Sequence, residues 1–190
     1  MNIFLIRLLN KIKMNELIKS KIRTIPNWPH EGIMFRDITT LLKDSNAFNH
    51  LIDILYQRYK EMNIDLIAGI ESRGFITGSA LASKLGVGFI LIRKPGKLPA
   101  ETISEEYDLE YGKDKLEIHK DSLNIGNKVL LIDDLLATGG TCLAAANLIK
   151  KLGGEIVECS FIINILNLDG KNKLLKNGLK VFNLVEFKGD

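Results

Sequence analysis

The chain has 190 residues, a net charge of +3 and 46% hydrophobic residues, which is typical of one soluble globular domain and not of a disordered or membrane protein. No apolar run approaches the roughly 20 residues that a membrane-spanning helix needs. The basic residues are spread along the chain, so the charge alone does not indicate a nucleic-acid-binding protein. The two cysteines, Cys142 and Cys159, lack metal-binding spacing, which favours free thiols and the cytoplasm. We therefore expect a single cytoplasmic domain spanning residues 1–190.

Residues 1–13 alternate apolar and basic side chains at helical spacing, a pattern that suits a membrane surface or a targeting helix. The stretch is short and lacks a cleavage site. Met14 begins a segment that is a sufficient start for the domain. We interpret residues 1–13 as a dispensable extension.

Further along the chain, helical and strand periodicities alternate. From Phe48 to Tyr59 the apolar positions recur every three or four residues, which predicts an amphipathic helix. Continuous apolar runs predict strands at 64–70, 88–94, 128–134, 155–165 and 179–187, and further helices follow at 74–86 and 141–152. This order predicts an α/β fold with an open, mainly parallel twisted sheet flanked by helices. Sheets of this kind bind ligands at the carboxyl ends of their strands.

The segment 94–121 joins two predicted strands and is long and polar. It contains Pro95, Gly96, Pro99 and Gly112. A connection of this length in a compact domain is usually functional, so the sequence predicts a lid or binding loop.

The most informative stretch is VLLIDDLLATGGT at 129–141. Asp133 and Asp134 come where the strand leaves the sheet, and they can accept hydrogen bonds from sugar hydroxyls or hold a hydrated divalent ion. Gly139 and Gly140 allow a phosphate to approach the backbone closely at the start of a helix, and Thr138 and Thr141 add hydroxyl groups. Acids for ribose beside amides for phosphate predict a ribose 5-phosphate site. A helix cap and a turn would explain one acid and one glycine, but not the whole run.

This stretch resembles the phosphoribosyl pyrophosphate motif of the type I phosphoribosyltransferases. The resemblance extends from about Ile22 to Phe187 and is greatest to the branch of that family that uses adenine; it is carried by GIMFRDITTLL (32–42), AGIESRGFITGSALA (68–82), RKPGKLP (93–99) and YDLEYG (107–112). It implies the type I fold, with a small N-terminal hood at 22–40 and a flexible catalytic loop at 95–112. It also implies the reaction of adenine with 5-phosphoribosyl 1-pyrophosphate to give AMP and pyrophosphate in purine salvage, with Mg²⁺, by a homodimer.

The resemblance assigns roles to individual residues. It implies that Glu110 is the catalytic acid/base group. It implies that Mg²⁺ is held through substrate and waters near Asp133 and Asp134, without direct protein ligands. The remaining implied contacts are phosphoribosyl binding by Asp133, Asp134, Ala137, Thr138, Gly139, Gly140 and Thr141; pyrophosphate binding by Glu71, Ser72, Arg73, Arg93, Lys94 and Lys97; and adenine binding by Met34, Phe35, Arg36 and Leu135. Of the pyrophosphate group, some of Arg93, Lys94 and Lys97 are implied to act across a dimer interface.

Two alternatives remain open. The first is the same reaction on another purine such as xanthine. The second is a regulator that keeps the fold to sense phosphoribosyl pyrophosphate while it binds nucleic acid. The 25 N-terminal residues are too few for a winged helix, and Glu110 would have no role in a pure sensor, so we expect an enzyme that binds neither nucleic acid nor membranes.

Overall fold

A computed structural model describes residues 15–108 and 112–189. The described chain begins with helical residues 15–20 (α1). Two short antiparallel strands follow, β1 (Arg23–Pro26) and β2 (Met34–Asp37), with Arg23 opposite Asp37 and Pro26 opposite Met34. The remaining elements are α2 (Thr39–Lys43), α3 (Ser45–Tyr59), β3 (Leu66–Ile70), α4 (Arg73–Leu85), β4 (Gly88–Ile92), β5 (Thr102–Asp108), β6 (Lys113–His119), β7 (Lys128–Leu136), α5 (Gly140–Lys151), β8 (Glu155–Ile165), α6 (Gly170–Lys176) and β9 (Val181–Phe187).

The central sheet has five strands in the order β4-β3-β7-β8-β9, and every neighbouring pair is parallel. All five are the strands that the apolar runs predicted, so the predicted α/β fold is confirmed. The ends differ by a few residues; β7 continues through Asp133 and Asp134 to Leu136. The two aspartates therefore lie among the last four residues of the strand and not beyond it.

Successive side chains of the sheet enter two separate cores, because neighbouring residues of a strand point to opposite faces. In β7, Val129 and Leu131 pack with α5 and α6, whereas Leu130 and Ile132 pack with α1, α3 and α4. Helices on both faces explain why the strands are apolar without alternation.

The segment between β4 and β7, which the sequence predicts to be a lid or binding loop, contains regular secondary structure that the sequence analysis did not predict. Residues 102–108 and 113–119 form an antiparallel hairpin, β5 and β6. Leu116 and Ile118 alternate with polar residues and are fully buried against the α5 side of the sheet. That two-residue period marks a half-buried strand, and the high charge of the segment obscures it.

Among the described residues no helix is long and apolar enough to cross a membrane.

Candidate active site

The two adjacent aspartates lie at the carboxyl end of β7 on opposite faces of the sheet. Asp133 is half-buried beside the turn that follows β7, and its Oδ1 accepts a hydrogen bond from the Asp134 amide at 2.9 Å. Asp134 is 3% exposed, and Arg73 Nε lies 2.9 Å from its Oδ2. Burial raises the pKa of Asp133 well above its ordinary value, and repulsion from Asp134 raises it further. Burial also raises the pKa of Asp134, although the Arg73 cation partly offsets the effect. The pair is thus a desolvated acidic centre that a cation or hydroxyl donors would stabilise.

The turn after β7 delivers backbone amides to the same place. Gly139 adopts φ 79° and precedes the first residue of α5, Gly140. A Cβ at Gly139 would lie 3.0 Å from the carbonyl oxygen of Gly170. A small cavity of about 80 Å³ opens at this turn, lined by Asp133, Leu135, Leu136, Ala137, Thr138, Gly139, Thr141, Cys142 and Phe161. The amides at the N-terminus of α5 and the hydroxyl groups of Thr138 and Thr141 are groups that can donate hydrogen bonds to an anion.

A second turn, between β3 and α4, lies next to the aspartates. It holds Glu71, then Ser72 at the N-cap of α4, then Arg73 as the first helical residue. The peptide bond between Glu71 and Ser72 is cis. A Cβ at Gly74 would lie 2.7 Å from the Ile132 carbonyl oxygen and 3.2 Å from Asp133 Oδ1, so glycine allows α4 to begin directly against β7.

The basic residues after β4 divide between this turn and the hairpin. Arg93 Nε donates to Glu71 Oε2 at 3.0 Å, and Lys97 is exposed. Burial alone would raise the pKa of Glu71, but hydrogen bonds from the Lys94 amide and Arg93 hold it below its ordinary value. The Lys94 ammonium instead contacts Asp114 of β6 and donates to the Tyr107 hydroxyl at 2.9 Å. In this structure Lys94 therefore fixes the hairpin to the end of β4, and its pyrophosphate contact stays a prediction.

An apolar pocket of about 230 Å³ lies between the β1-β2 hairpin and the sheet. Phe35 forms one wall. The ring of Trp28 contacts Phe35 edge-on, with 4.4 Å between the two ring centroids, and the Arg73 guanidinium lies 5.2 Å from the centroid of the Phe35 ring. Phe35 is half-buried, so it lines a site and does not fill the core. The lining consists of Gly32, Ile33, Met34, Phe35, Arg36, Arg73, Leu135, Ala137, Ile165, Leu168, Lys188 and Gly189.

Leu135 and Ala137 line both this apolar pocket and the small cavity at the turn after β7. We call this turn, residues 137–141, the phosphate turn. The two cavities therefore meet at the end of β7, with Asp133 on one side of the junction and Arg73 on the other. A ligand with a flat apolar ring, a sugar and a phosphate would fit these compartments in that order.

The structure brings together most of the residues that the sequence singled out, and it adds several that were missed. Ile165, Leu168, Lys188 and Gly189 line the pocket, and Gly170 supports the phosphate turn. The first four lie at or just beyond the ends of β8 and β9, so the rule that ligands bind at strand ends would have identified them. No signal in the sequence marks Gly170, because its role is a backbone contact with a distant turn.

Glu110 lies outside the described residues. Within the described parts of the chain, no group of three or more His, Cys, Asp or Glu side chains is placed to hold a metal ion. Cys142 and Cys159 are buried and free, as predicted.

Comparison with known proteins agrees with this geometry. Residues 37–188 match the phosphoribosyl transferase domain family. Adenine phosphoribosyltransferase of Nitrosospira multiformis is 59% identical over 173 residues, covering 91% of this chain and 99% of the relative. The crystal structure of adenine phosphoribosyltransferase from Thermoanaerobacter pseudethanolicus is 51% identical with a TM-score of 0.88, covering 91% of this chain and 99% of that one.

A third relative is the Saccharomyces cerevisiae adenine phosphoribosyltransferase in complex with adenine and an imino-altritol bisphosphate. It is 38% identical with a TM-score of 0.86, and the alignment covers 92% of this chain and 99% of that one. A domain match and relatives of this identity across nearly their whole length identify the family: the chain belongs to the adenine phosphoribosyltransferases.

Proposed function

We infer that this protein transfers the 5-phosphoribosyl group from phosphoribosyl pyrophosphate to adenine, forming AMP and pyrophosphate in purine salvage. The observation that carries this inference is the junction of the apolar pocket with the phosphate turn at Leu135 and Ala137, beside Asp133 and Arg73. This order of compartments matches the base, ribose and phosphate of AMP. The family relatives carry the same activity in their names.

We assign the base to the apolar pocket, where the edge of β2 can recognise it. The described residues give β2 only one partner strand, β1. Pro26 lies opposite Met34 and has no N–H to donate, so these two residues form a non-hydrogen-bonded pair. Because the two kinds of pair alternate along an antiparallel ladder, Ile25 and Phe35 form the hydrogen-bonded pair next to it. The backbone N–H and C=O of Met34 and Arg36 then point away from β1. A neutral flat base with a donor beside an acceptor pairs with such an edge, whereas a 6-oxopurine would set carbonyl against carbonyl at a cost of about 1–3 kcal/mol.

We assign the 5-phosphate to Thr138, Gly139, Gly140 and Thr141, and the ribose hydroxyls to Asp133 and Asp134. Amides at a helix N-terminus suit the phosphate dianion, and carboxylates suit hydroxyl donors. We assign the pyrophosphate to the turn between β3 and α4 and the basic residues beside it, namely Glu71, Ser72, Arg73, Arg93 and Lys97. In the reaction a purine nitrogen bonds to the anomeric carbon as the bond from that carbon to the pyrophosphate oxygen breaks, and the proton that this nitrogen carried passes to Glu110, which we propose as the acid/base group. Positive charge develops on the sugar, which the nearby carboxylates offset.

Mg²⁺ fits this donor set through water and substrate and not as a direct protein ligand. Asp134 Oδ2 is buried, and although Arg73 is near, no described residue gives it a well-aligned hydrogen bond. Two adjacent carboxylates with unused acceptor capacity suit a hydrated divalent ion. When bound, the ion would neutralise the pyrophosphate charge, and Asp133 and Asp134 would hold its waters. The homodimer and the cytoplasmic location stay predictions; sedimentation of the purified protein tests the former.

The test is a product assay with the purified protein. Adenine, hypoxanthine, guanine and xanthine are each supplied with phosphoribosyl pyrophosphate and Mg²⁺, and nucleotide and pyrophosphate are quantified together. We expect AMP and pyrophosphate in equal amounts from adenine, loss of both when Mg²⁺ is chelated, and little nucleotide from the oxopurines. Efficient use of xanthine or hypoxanthine in preference to adenine would contradict the assignment of the base pocket.

A further inference from the structure

One wall of the base pocket comes from the segment 187–189, which consists of the last residue of β9 and the two residues after it. Lys188 and Gly189 line the pocket. Phe187 opposite Ile165 is the last aligned pair of β8 and β9. Beyond Phe187 the sheet no longer fixes the backbone, so the position of this wall depends on side chains from elsewhere.

Two side chains from different parts of the fold hold the segment. Arg36 of β2 donates from Nη2 to the Lys188 carbonyl at 2.9 Å. Asn167, between β8 and α6, donates from Nδ2 to the Gly189 carbonyl at 2.7 Å. Gly189 also packs closely, since a Cβ there would lie 3.1 Å from Ile165 Cγ2.

The surroundings of Arg36 are unusual for a buried cation. Arg36 is 9% exposed and has no carboxylate partner among the described residues. Its guanidinium instead contacts the Thr24 hydroxyl and the Lys188 carbonyl and lies 4.6 Å from the centroid of the Phe187 ring. Burying a cation costs free energy, and these three groups offset that cost for the guanidinium. Two of the three compensating groups belong to the segment 187–189, so the guanidinium and the segment fix each other.

We propose that Arg36, through its side chain, and Asn167 are positioning residues that hold the segment 187–189 as a wall of the purine pocket. They thereby set the affinity for the base without acting on the phosphoribosyl group. This proposal rests on the proposed function, which makes the pocket a purine site. It follows that loosening the segment weakens adenine binding and leaves the phosphate turn, on the other side of Leu135 and Ala137, unchanged.

The main test is Asn167→Ala, because Asn167 is exposed and its removal leaves no cavity in the core. Asn177→Ala is the matched control: Asn177 is also exposed and donates from Nδ2 to a backbone carbonyl, that of Lys173, at 2.8 Å, but it does not line the pocket. We expect Asn167→Ala to raise KM for adenine roughly two- to tenfold, the effect of one lost hydrogen bond. KM for phosphoribosyl pyrophosphate and kcat should stay within about twofold. Asn177→Ala should match the wild type.

Arg36→Lys is the second variant, since it keeps the charge and removes the planar pair of donors. It should show the same separation between the two KM values, with a larger rise for adenine. If both variants kept the wild-type KM for adenine, the proposal would be overturned. An equal rise in the KM for phosphoribosyl pyrophosphate would also overturn it, because it would indicate general loosening of the fold.

A binding measurement makes the result independent of turnover. Trp28 is the only tryptophan in the sequence and contacts Phe35 of the pocket wall, so its fluorescence reports on the site. Adenine titrated into the wild type and Asn167→Ala should give dissociation constants that differ by the same factor as KM. Equal constants would reject the proposal. Failure of the proposed function would show separately, as a wild-type protein that forms no AMP, and the titration would still decide whether the segment sets purine affinity.

Discussion

Asp133 and Asp134 are neighbours in the sequence but have different surroundings, because a strand sends successive side chains to opposite faces. Asp133 faces the phosphate turn, whereas Asp134 faces Arg73 at the start of α4. Burial raises the pKa of each carboxyl. The end of β7 thus presents one acid to the turn that follows it and the other to Arg73 at the start of α4.

Replacing both aspartates by Asn should abolish turnover and raise the KM for phosphoribosyl pyrophosphate. The ribose hydroxyls and the waters of Mg²⁺ would lose charge-assisted partners. Steady-state kinetics with varied phosphoribosyl pyrophosphate measures this. Asp65→Asn is the control, because Asp65 caps the amino end of the same sheet, where its Oδ2 accepts from the Lys128 amide at 2.7 Å. Near-normal kinetics in the double variant would remove both aspartates from the site.

Glu110→Gln should lower kcat by roughly two to four powers of ten, the usual effect of a lost acid/base group. Glutamine keeps the shape of the side chain but cannot exchange a proton with the purine. The KM for each substrate should change little, because the role is in the chemical step. Single-turnover measurements separate that step from product release. Full turnover in this variant would show that Glu110 has no part in the mechanism.

At the scale of elements, the β1-β2 hairpin forms one side of the apolar pocket, and Asp37 fixes the end of this hairpin. Asp37 accepts from the Thr39 amide and hydroxyl, each at 2.8 Å, and pairs with Arg23 across the hairpin. Burial alone would raise the pKa of Asp37, but these hydrogen bonds outweigh it and hold the pKa below its ordinary value. The carboxylate therefore stabilises the folded state in its charged form.

Asp37→Asn should lower the free energy of unfolding at neutral pH by about 1–3 kcal/mol, because one partner of a buried charged network loses its charge. Since the folded pKa is depressed, the wild-type advantage is fully present above the unfolded pKa of about 3.9 and is lost as the pH falls through the folded value. Urea unfolding at pH 7, 5 and 4 measures the difference, which should begin to shrink only near the last value. Asp53→Asn, which breaks the exposed pair with Lys84, should have little effect at any pH. A difference that grows with acidity would refute this account of Asp37.

At the scale of the whole molecule, a nucleotide would join parts of the chain that are far apart in sequence. The base pocket draws on β2, β7, β8 and the segment 187–189, and the phosphate turn on β7 and α5. AMP bound across them should therefore stabilise the fold as one unit.

AMP at about 100 times its Kd should add about 2.7 kcal/mol to the free energy of unfolding. For a chain of this size that shifts Tm upward by roughly 5–11 °C. Adenosine at the same concentration is the control and should give a much smaller shift, because it leaves the amides of Gly139 and Gly140 without a phosphate. Thermal unfolding followed by circular dichroism measures both. Equal shifts for AMP and adenosine would show that the turn after β7 does not bind phosphate.

The sequence by itself determined the five sheet strands, the helices α3, α4 and α5 and the turn at 137–141. Each depends on local properties: runs of apolar residues, helical spacing, and glycines where the backbone must approach an anion. The turn at 137–141 could be predicted because all its residues are consecutive in the sequence. The same holds for Phe35 and Arg36, which the resemblance identified from one short motif.

Only the tertiary structure decided which distant groups meet. The hairpin at 102–119 was missed because its buried positions, Leu116 and Ile118, are few among charged residues and gain their burial from α5. The sequence marked Lys94 as a ligand for an anion, but packing places it against Asp114 and Tyr107. Gly170 carries no local signal, since it supports the turn after β7 through a backbone contact with residues far away in the chain. Lys188 lies just past a strand end, but its contact with Arg36 depends on how distant elements pack. Local chemistry fixes what each element is, whereas the shape of a pocket depends on how the ends of separate strands come together.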